Sequence, residues 1–326
     1  MNDKSSELTQ MQLLALAHGD LACYAVALWP QFSLSPHHNL IISRLEAVER
    51  GEISRLMIFM PPRHGKSLLT STMLPAWYLG RNPDRHVIFA TYGQELSDDF
   101  GRRVRNLLRN ELHQAIFSAS RLSEDSAAAH RLNTTRGGTY SAVGRGGPIT
   151  GRGANLLILD DLLKDSSEAN SETIRRNLHD WFSSDAYTRL APGGAIVLIQ
   201  TRCHEDDLPG RLLSSRSGEH WDVLSLPAIA EQDESFRRKG EALWPEWFPL
   251  SELERIRAAI GERAWVSLYQ QRPSAAEGAI FKRNWWHFYR HPLEPSWAIS
   301  NHSVLGHSIQ DGRRERLQRL HNVGGV

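Results

Sequence analysis

Cysteine is nearly absent from this sequence: only Cys23 and Cys203 occur, and they are far apart. Their scarcity excludes a disulfide framework and a site of clustered thiolates, and it predicts a reducing compartment. Long hydrophobic runs are also missing, because the most apolar N-terminal stretch, residues 13–28, is interrupted by His-Gly-Asp at 18–20. That stretch predicts a buried helix rather than a signal peptide or a membrane span, so we expect a cytoplasmic protein without membrane contact.

An excess of charge of one sign is lacking as well, since 38 basic residues stand against 37 acidic ones, for a net charge of +1. No global field would attract nucleic acid, and such a partner would have to meet a local basic patch. Residues 102–109 and 131–152 each hold four arginines, the second segment without any acid. The length and the 40% hydrophobic content predict one large α/β domain, or one domain with appendages.

Short apolar runs alternate with stretches of helical spacing through the middle of the chain. The helical spacing places helices between the runs and also at 8–29 and 36–50. Strands that alternate with helices predict a parallel sheet covered by helices on both faces. The predicted strands are residues 55–60, 86–91, 156–160, 195–200 and 221–226.

A candidate phosphate-binding loop follows the first predicted strand. Gly65, Lys66 and Ser67 match the second half of the fingerprint G-x-x-x-x-G-K-[ST], whereas Met60 stands where its first glycine would be. In such loops backbone N–H groups cradle phosphates, the lysine reaches the β- and γ-phosphates, and the hydroxyl binds Mg²⁺. We predict a catalytic lysine and an ATP site made of Pro62, Arg63, His64, Gly65, Lys66 and Ser67.

Alternatives remain open for this loop. A match of three residues also arises by chance in a surface turn that opens a helix, although the strand before it and the helix after it favour a phosphate loop. Arg63 and His64 are either solvated loop residues or part of the site. Arg63 is also a candidate catalytic residue, because an arginine in such a loop can reach the γ-phosphate.

A pair of carboxylates ends the strand predicted at 156–160. The order of four apolar residues followed by Asp160 and Asp161 has the form of a Walker B strand, which presents acids at the edge where ligands bind. We predict that Asp160 holds Mg²⁺ together with Ser67, and that Asp161 orients or deprotonates the attacking water. The alternative is that both acids cap the next helix.

Arginines and polar strand ends complete the candidate site. Residues 137–153 hold seven glycines and two arginines, which favours a mobile loop that faces an anion over a plain surface loop. Arg152 is our first candidate, and Arg145 the second, for an arginine that completes a neighbour's active site. Another predicted strand ends in Gln200, Thr201 and Arg202. We predict that these side chains sense hydrolysis, although a polar strand end with ordinary hydrogen bonds is an equally good interpretation.

The motifs, taken in order, resemble those of the large terminase subunit of tailed phages and prophages. The resemblance extends from about residue 30 to 290 and is carried by 59–67, 146–153, 158–161, 201–208, 267–273 and 277–278. It implies a P-loop NTPase of the ASCE type that hydrolyses ATP and translocates double-stranded viral DNA into a procapsid. It also implies ATPase roles for Lys66, Ser67, Asp160 and Asp161, and coupling by Thr201 and Arg202. The implied partners are DNA, the small terminase subunit, the portal and further copies in a ring.

The sequence departs from the family at two places. Cys203 stands where relatives often have an aromatic residue, which we do not expect to prevent hydrolysis. The family's nuclease opens with a strand that carries a metal-binding Asp, whereas residues 296–301 have the sequence SWAISN. After residue 290 only Glu294, Asp311 and Glu315 are acidic, too few for two-metal cleavage on a packed fold. We therefore expect a chain truncated before the nuclease, without endonuclease activity.

Three hypotheses on the function follow, and the same predicted segments of the chain apply to all of them. The first is the motor of a terminase in the bacterial cytoplasm. The second is another P-loop translocase or helicase, and the third is a non-catalytic remnant that only binds DNA or terminase partners. The predicted segments are N-terminal helices (1–50), an ATPase core (51–230), a helical lid and linker region (231–290) and a tail (291–326).

Overall fold

The five apolar runs predicted as strands lie in one sheet of eight strands. The computed structural model describes residues 10–149, 151, 153–215 and 218–273, with the backbone only at 10 and 125–127. The order across the sheet is β3-β4-β5-β2-β6-β7-β1-β8, parallel from β5 to β8 and antiparallel between β3, β4 and β5. The strands are β1 (Arg55–Phe59), β2 (His86–Thr91), β3 (Leu122–Ala128), β4 (Arg131–Thr134), β5 (Thr139–Gly144), β6 (Ala154–Asp160), β7 (Leu190–Gln200) and β8 (Asp222–Ser225).

Ten α-helices of the described residues surround this sheet. The predicted helix at 8–29 is divided at Asp20, whose side chain accepts a hydrogen bond from the backbone N–H of Cys23 and so begins a second helix. Segments of π-helix occupy Leu68–Met73, Phe182–Ala186 and Trp265–Tyr269. The helices are α1 (Gln10–Gly19), α2 (Leu21–Leu28), α3 (Pro36–Glu49), α4 (Leu74–Arg81), α5 (Gln94–Arg109), α6 (Glu111–Ile116), α7 (Ser166–Asn170), α8 (Glu172–Trp181), α9 (Leu208–Ser214) and α10 (Leu250–Ala264).

Hydrophobic cores cover both faces of the sheet, as the continuous apolar runs predict. In β1, Leu56 and Ile58 enter a core that is shared with α1 to α6, whereas Met57 and Phe59 enter a second core with α8 and α9. A third, smaller core around Leu253 and Trp265 lies in the segment after β8. No helix in the described part of the chain has the length and apolar character needed to cross a membrane.

The prediction of a mobile loop over 137–153 is wrong for its first half. Residues 139–144 form the strand β5, which pairs with β2 and buries Tyr140 and Val143. Its mixed composition lacks the apolar run that marks the other strands. The flanking glycines allow close backbone contact instead of motion: a Cβ on Gly138 would lie 2.4 Å from the Pro83 oxygen. Residues 274–326 lie outside the described part, and with them the predicted tail.

One glycine decides how closely α5 packs on the edge of the sheet. A Cβ at Gly101 would lie 1.8 Å from the backbone oxygen of Ala129, in the turn between β3 and β4. We expect Gly101→Ala to lower the free energy of unfolding by about 1–3 kcal/mol, because backbone has to move to admit the methyl group. Denaturant titration measures this change.

The matched control is Gly19→Ala in α1, where a Cβ would meet no atom within 4 Å. We expect its free energy of unfolding to stay within about 1 kcal/mol of the unsubstituted protein. An equal loss in both variants would show that the contact between Gly101 and Ala129 does not limit the packing of α5.

Candidate nucleotide site

The predicted phosphate loop lies between β1 and helical backbone that begins at Lys66. Two residues of the loop have left-handed backbone, Arg63 with φ 61° and Gly65 with φ 88°. Gly65 adopts this conformation without steric cost, whereas Arg63 is held there with its side chain exposed. Met60, at the position of the missing glycine, is fully buried, so its side chain belongs to the core.

Lys66 is buried between two partners at the carboxyl edge of the sheet. Its Nζ lies 2.6 Å from Asp161 Oδ2 and donates a hydrogen bond of 3.0 Å to Thr201 Oγ1. Burial alone would lower the pKa of Lys66, but Asp161 and Asp160 outweigh it and hold the pKa above its ordinary value. The ammonium is therefore charged at neutral pH and available to an anionic ligand.

Asp160 is buried at the end of β6 and keeps one oxygen without a hydrogen bond. Its Oδ2 accepts from Ser71 Oγ at 2.7 Å, whereas Oδ1 has no partner among the described residues. Burial and the charge of Asp161 raise the pKa of Asp160 to about 6, against the opposing effect of Lys66 and of hydrogen bonds from Ser71 and Ser67. An unpartnered carboxylate oxygen next to a serine hydroxyl suits Mg²⁺, which prefers oxygen ligands. The residues present therefore fit the predicted metal.

Asp161 joins the phosphate loop to the end of β7. Its φ is 42°, a left-handed backbone conformation that is costly for a residue other than glycine. Its Oδ1 accepts from the backbone N–H of Thr201 at 2.9 Å, while Oδ2 binds Lys66. The alternative that these acids cap the next helix is wrong, because the N-cap of α7 is Asp165.

The predicted sensor residues divide into two groups. Thr201 contacts Lys66 directly, whereas Gln200 Nε2 and Arg202 Nε both bind Asp207 Oδ2, at 3.0 and 2.8 Å. Asp207 is fully buried and also caps α9. The sequence analysis did not single out Asp207, whose carboxylate anchors both side chains.

The arginine candidates of the glycine-rich stretch have different outcomes. Arg145 binds both oxygens of Glu168, at 2.9 and 3.1 Å, and donates to the carbonyl of Leu162. The structure thus commits Arg145 to its own chain, which argues against a role in a neighbour's site. Arg152 lies outside the described residues, so its role stays a prediction.

A cleft of about 530 Å³ opens beside Lys66 and Asp161. Thr201 and Cys203 line it from the end of β7, and Arg263 lines it from α10. The sequence analysis did not single out Arg263. It also missed Ser71, although helical spacing contained a signal, because Ser71 follows Ser67 by four residues and so shares its helix face.

The fold and the site together define a class of protein. The strand β7 separates β1, which carries the phosphate loop, from β6, which carries Asp160. This order, with a lysine at the helix start and a carboxylate on the strand after next, is that of P-loop NTPases of the ASCE type. The expected fold class is confirmed.

A family model described as the terminase large subunit, T4likevirus-type, N-terminal, matches residues 57–288. The chain belongs to this family, which confirms the resemblance found in the sequence. No curated protein matches the sequence of this chain at a significant level.

Solved structures of large terminases are among those to which the chain is similar. The HK97 bacteriophage large terminase is 14% identical, with a TM-score of 0.48 over 74% of this chain and 51% of that one. A mutant ATPase domain of the Thermus phage P74-26 large terminase is 14% identical, with a TM-score of 0.48 over 76% and 97% of the two chains. Another crystal structure of that ATPase domain is 14% identical, with a TM-score of 0.44 over 70% of this chain and 92% of that one. The chain thus spans about half the length of the HK97 protein.

From the burial of the Asp160 carboxylate we predict that this residue lowers the free energy of unfolding of the protein. Because the pKa of Asp160 is raised to about 6 in the fold, its ionised form disfavours folding, and stability is lost as pH rises through about 6. We expect Asp160→Asn to raise the free energy of unfolding at pH 8 by an amount on the order of 1 kcal/mol. Thermal unfolding in a metal chelator measures it.

The same comparison at pH 4 is the control for charge. There the carboxyl group of Asp160 is largely protonated, so we expect the difference between the two proteins to shrink. A stability gain that is equal at pH 4 and pH 8 would show that the charge of Asp160 is not its cause.

Proposed function

We propose that the chain is an ATP-hydrolysing motor domain that drives double-stranded viral DNA into a procapsid. One observation carries the proposal: the buried Lys66, paired with Asp161 and Thr201, lies beside the buried Asp160 with its unpartnered oxygen. Membership of the terminase family supports DNA as the substrate of the motor. ATP and Mg²⁺ are the implied cofactors.

The proposed chemistry assigns one task to each side chain. Lys66 neutralises charge on the terminal phosphates, and Arg63, exposed on the loop, is the arginine of this chain that we propose for the γ-phosphate. Ser67 and Asp160 would hold Mg²⁺, which supplies charge stabilisation for the leaving phosphates. Phosphate competes with Asp161 for the Lys66 ammonium, and Asp161 freed from that ion pair orients or deprotonates the attacking water.

Coupling is proposed to start at Thr201 and to leave the site through Arg202. The backbone N–H of Arg202 donates to Gln271 Oε1 at 3.1 Å, and its carbonyl accepts from Ser267 Oγ at 3.0 Å. These bonds connect the end of β7 to the π-helical segment after α10. A shift of Thr201 on loss of the γ-phosphate would therefore move the segment that follows the nucleotide core.

A basic surface at the β3–β4 edge supports DNA as the partner. The close contact of Gly101 with Ala129 brings α5 next to the β3–β4 turn, and Arg102 and Arg109 lie within about 100° of Gly101 around this helix. The bond from the N–H of Thr135 to the carbonyl of Arg121, 2.8 Å, brings the two ends of that hairpin together. Phosphate contacts of this kind need no global positive charge. The exposed members of the surface are Arg102, Arg109, Arg121, Arg131 and Arg136.

The remaining partners are proposed from the family. They are the small terminase subunit, the portal of the procapsid and further copies of this chain in a ring, in the cytoplasm of a bacterial host. The expected lack of endonuclease activity concerns residues outside the described part, and it stays a prediction.

Lysine removal tests the ATPase. We expect Lys66→Ala to reduce ATP turnover at least about 100-fold, because the buried site then lacks the cation that stabilises the transferring phosphate. Phosphate release measures turnover, with thermal unfolding to confirm the fold. Lys239→Ala, an exposed lysine, is the control and should retain full turnover. Equal turnover in both variants, or none in the unsubstituted protein, would contradict the proposal and favour a non-catalytic role.

Charge reversal tests the DNA surface. We expect Arg109→Glu combined with Arg131→Glu to weaken binding of a double-stranded DNA fragment by about tenfold or more, and to reduce the slope of log affinity against log salt by about 2. Fluorescence anisotropy at several salt concentrations measures both quantities. A matched double reversal at two exposed arginines, Arg238→Glu with Arg176→Glu, makes the same change of net charge elsewhere. Equal losses in the two double variants would remove the assignment to the β3–β4 edge.

A further inference from the structure

Two histidines in the first turn of α3 bind the phosphate loop from behind. His37 and His38 are both completely buried, and the Nε2 atom of each lies within hydrogen-bond distance of the His64 carbonyl oxygen, at 3.2 and 3.1 Å. A carbonyl oxygen has two lone pairs and accepts two such bonds. The loop is therefore held at one backbone atom by two side chains from a segment 26 and 27 residues earlier.

The surrounding hydrogen bonds assign the proton positions. The backbone N–H of Ser35 points at His38 Nδ1, 3.0 Å away, so that nitrogen must be an acceptor and Nε2 must carry the hydrogen. The Ser35 hydroxyl lies 3.1 Å from His37 Nδ1 and can donate to it in the same way. Burial lowers the pKa of His37 to about 3 and that of His38 to about 4, so both rings are neutral at neutral pH. Each neutral ring thus supplies one N–H to the loop.

The two bonds to the His64 carbonyl also set the direction of the Gly65 N–H, because both groups belong to one peptide. The His64–Gly65 bond is trans, and in a planar trans peptide the C=O and the N–H point in opposite directions. A carbonyl of His64 that points at α3 therefore directs the Gly65 N–H away from α3. Gly65 has φ 88° and lacks a Cβ, so this peptide could otherwise rotate at little steric cost.

We propose that Ser35, His37 and His38 are positioning residues that orient the His64–Gly65 peptide so that the Gly65 N–H faces the nucleotide phosphates. The inference rests on the proposed function as an ATPase. None of the three residues lines the cleft beside Lys66 and Asp161. They act through the backbone of the loop, which separates them from the residues that bind the ligand.

Two further contacts support a built arrangement. A Cβ on Gly65 would lie 2.5 Å from His38 Nε2, so the loop approaches the histidine as closely as glycine allows. The His64 ring stacks on Phe248 with centroids 4.6 Å apart, and its Nδ1 lies 2.8 Å from the Pro62 carbonyl. The loop is thus fixed at the backbone by α3 and at the side chain by the segment that precedes α10.

The test compares two double variants with the same buried positions. In His37→Gln with His38→Gln, each amide can still donate from the place of Nε2; in His37→Leu with His38→Leu, neither side chain can donate. Calorimetric titration with an ATP analogue that is not hydrolysed, in the presence of Mg²⁺, measures affinity, and steady-state turnover gives KM and kcat. We expect the leucine pair to raise Kd and KM by about tenfold, corresponding to about 1.4 kcal/mol, and the glutamine pair by at most about threefold.

A buried histidine elsewhere controls for a loss of packing. His113 is also completely buried and hydrogen-bonds Tyr24 through Nδ1 at 2.9 Å, in α6 and without a contact to the loop. His113→Leu should lower the unfolding temperature, as the leucine pair does, but leave Kd and KM unchanged. If the leucine pair does not fold, the single variants His37→Leu and His38→Leu replace it, each with an expected rise in KM of about threefold.

The outcomes separate this inference from the function on which it rests. Binding by the leucine variants with unchanged Kd and KM would overturn the positioning role alone. Equal weakening by the leucine and glutamine pairs would also overturn it, because the effect would then follow packing rather than donation. A protein without any substitution that binds no nucleotide would overturn the proposed function together with the inference.

Discussion

The contact between Lys66 and Asp161 is the constraint on which the rest of the site depends. Taking the ammonium of Lys66 and the carboxylate of Asp160 out of water costs free energy, and close pairing of Lys66 with the partly exposed Asp161 offsets part of that cost. The structure supplies that pairing where β1, β6 and β7 end, through a bond of 2.6 Å and the Thr201 hydroxyl. Asp161 makes this contact from a left-handed backbone conformation, and burial together with the charge of Asp161 raises the pKa of Asp160.

The same edge of the sheet also explains how the site is connected to the remainder of the protein. Asp207 is a fully buried acid that holds both Gln200 and Arg202, so the strand end beside Lys66 is rigidly anchored to α9. Through its backbone, Arg202 also contacts the segment after α10. Behind the loop, α3 supplies two histidine donors. The phosphate loop is therefore supported both by α3, which precedes it in the sequence, and by α9 and the segment after α10, which follow much later.

The sequence was informative wherever local pattern and tertiary role coincide. Buried strands of a parallel sheet are continuous apolar runs, so the strands that carry the loop and Asp160 could be predicted directly. β5 could not, because its small and polar residues pack between other elements without forming such a run. Gly138 was misinterpreted because a glycine can indicate either a mobile loop or a close contact between backbones. Only the position of the Pro83 oxygen in the structure shows that it is a close contact. The partner of Arg145 could not be predicted for a similar reason, since Glu168 comes from another element.

The sequence by itself therefore determined the class of fold, the phosphate loop with Lys66, and the acids at the end of β6, because each depends on residues that are neighbours along the chain. Tertiary structure alone decided which groups those residues meet. Thr201 is 135 positions from Lys66, Ser71 is 89 from Asp160, and His37 is 27 from the carbonyl it binds. Such pairs depend on the order of strands and the packing of helices, so they cannot be predicted from the local pattern of the sequence.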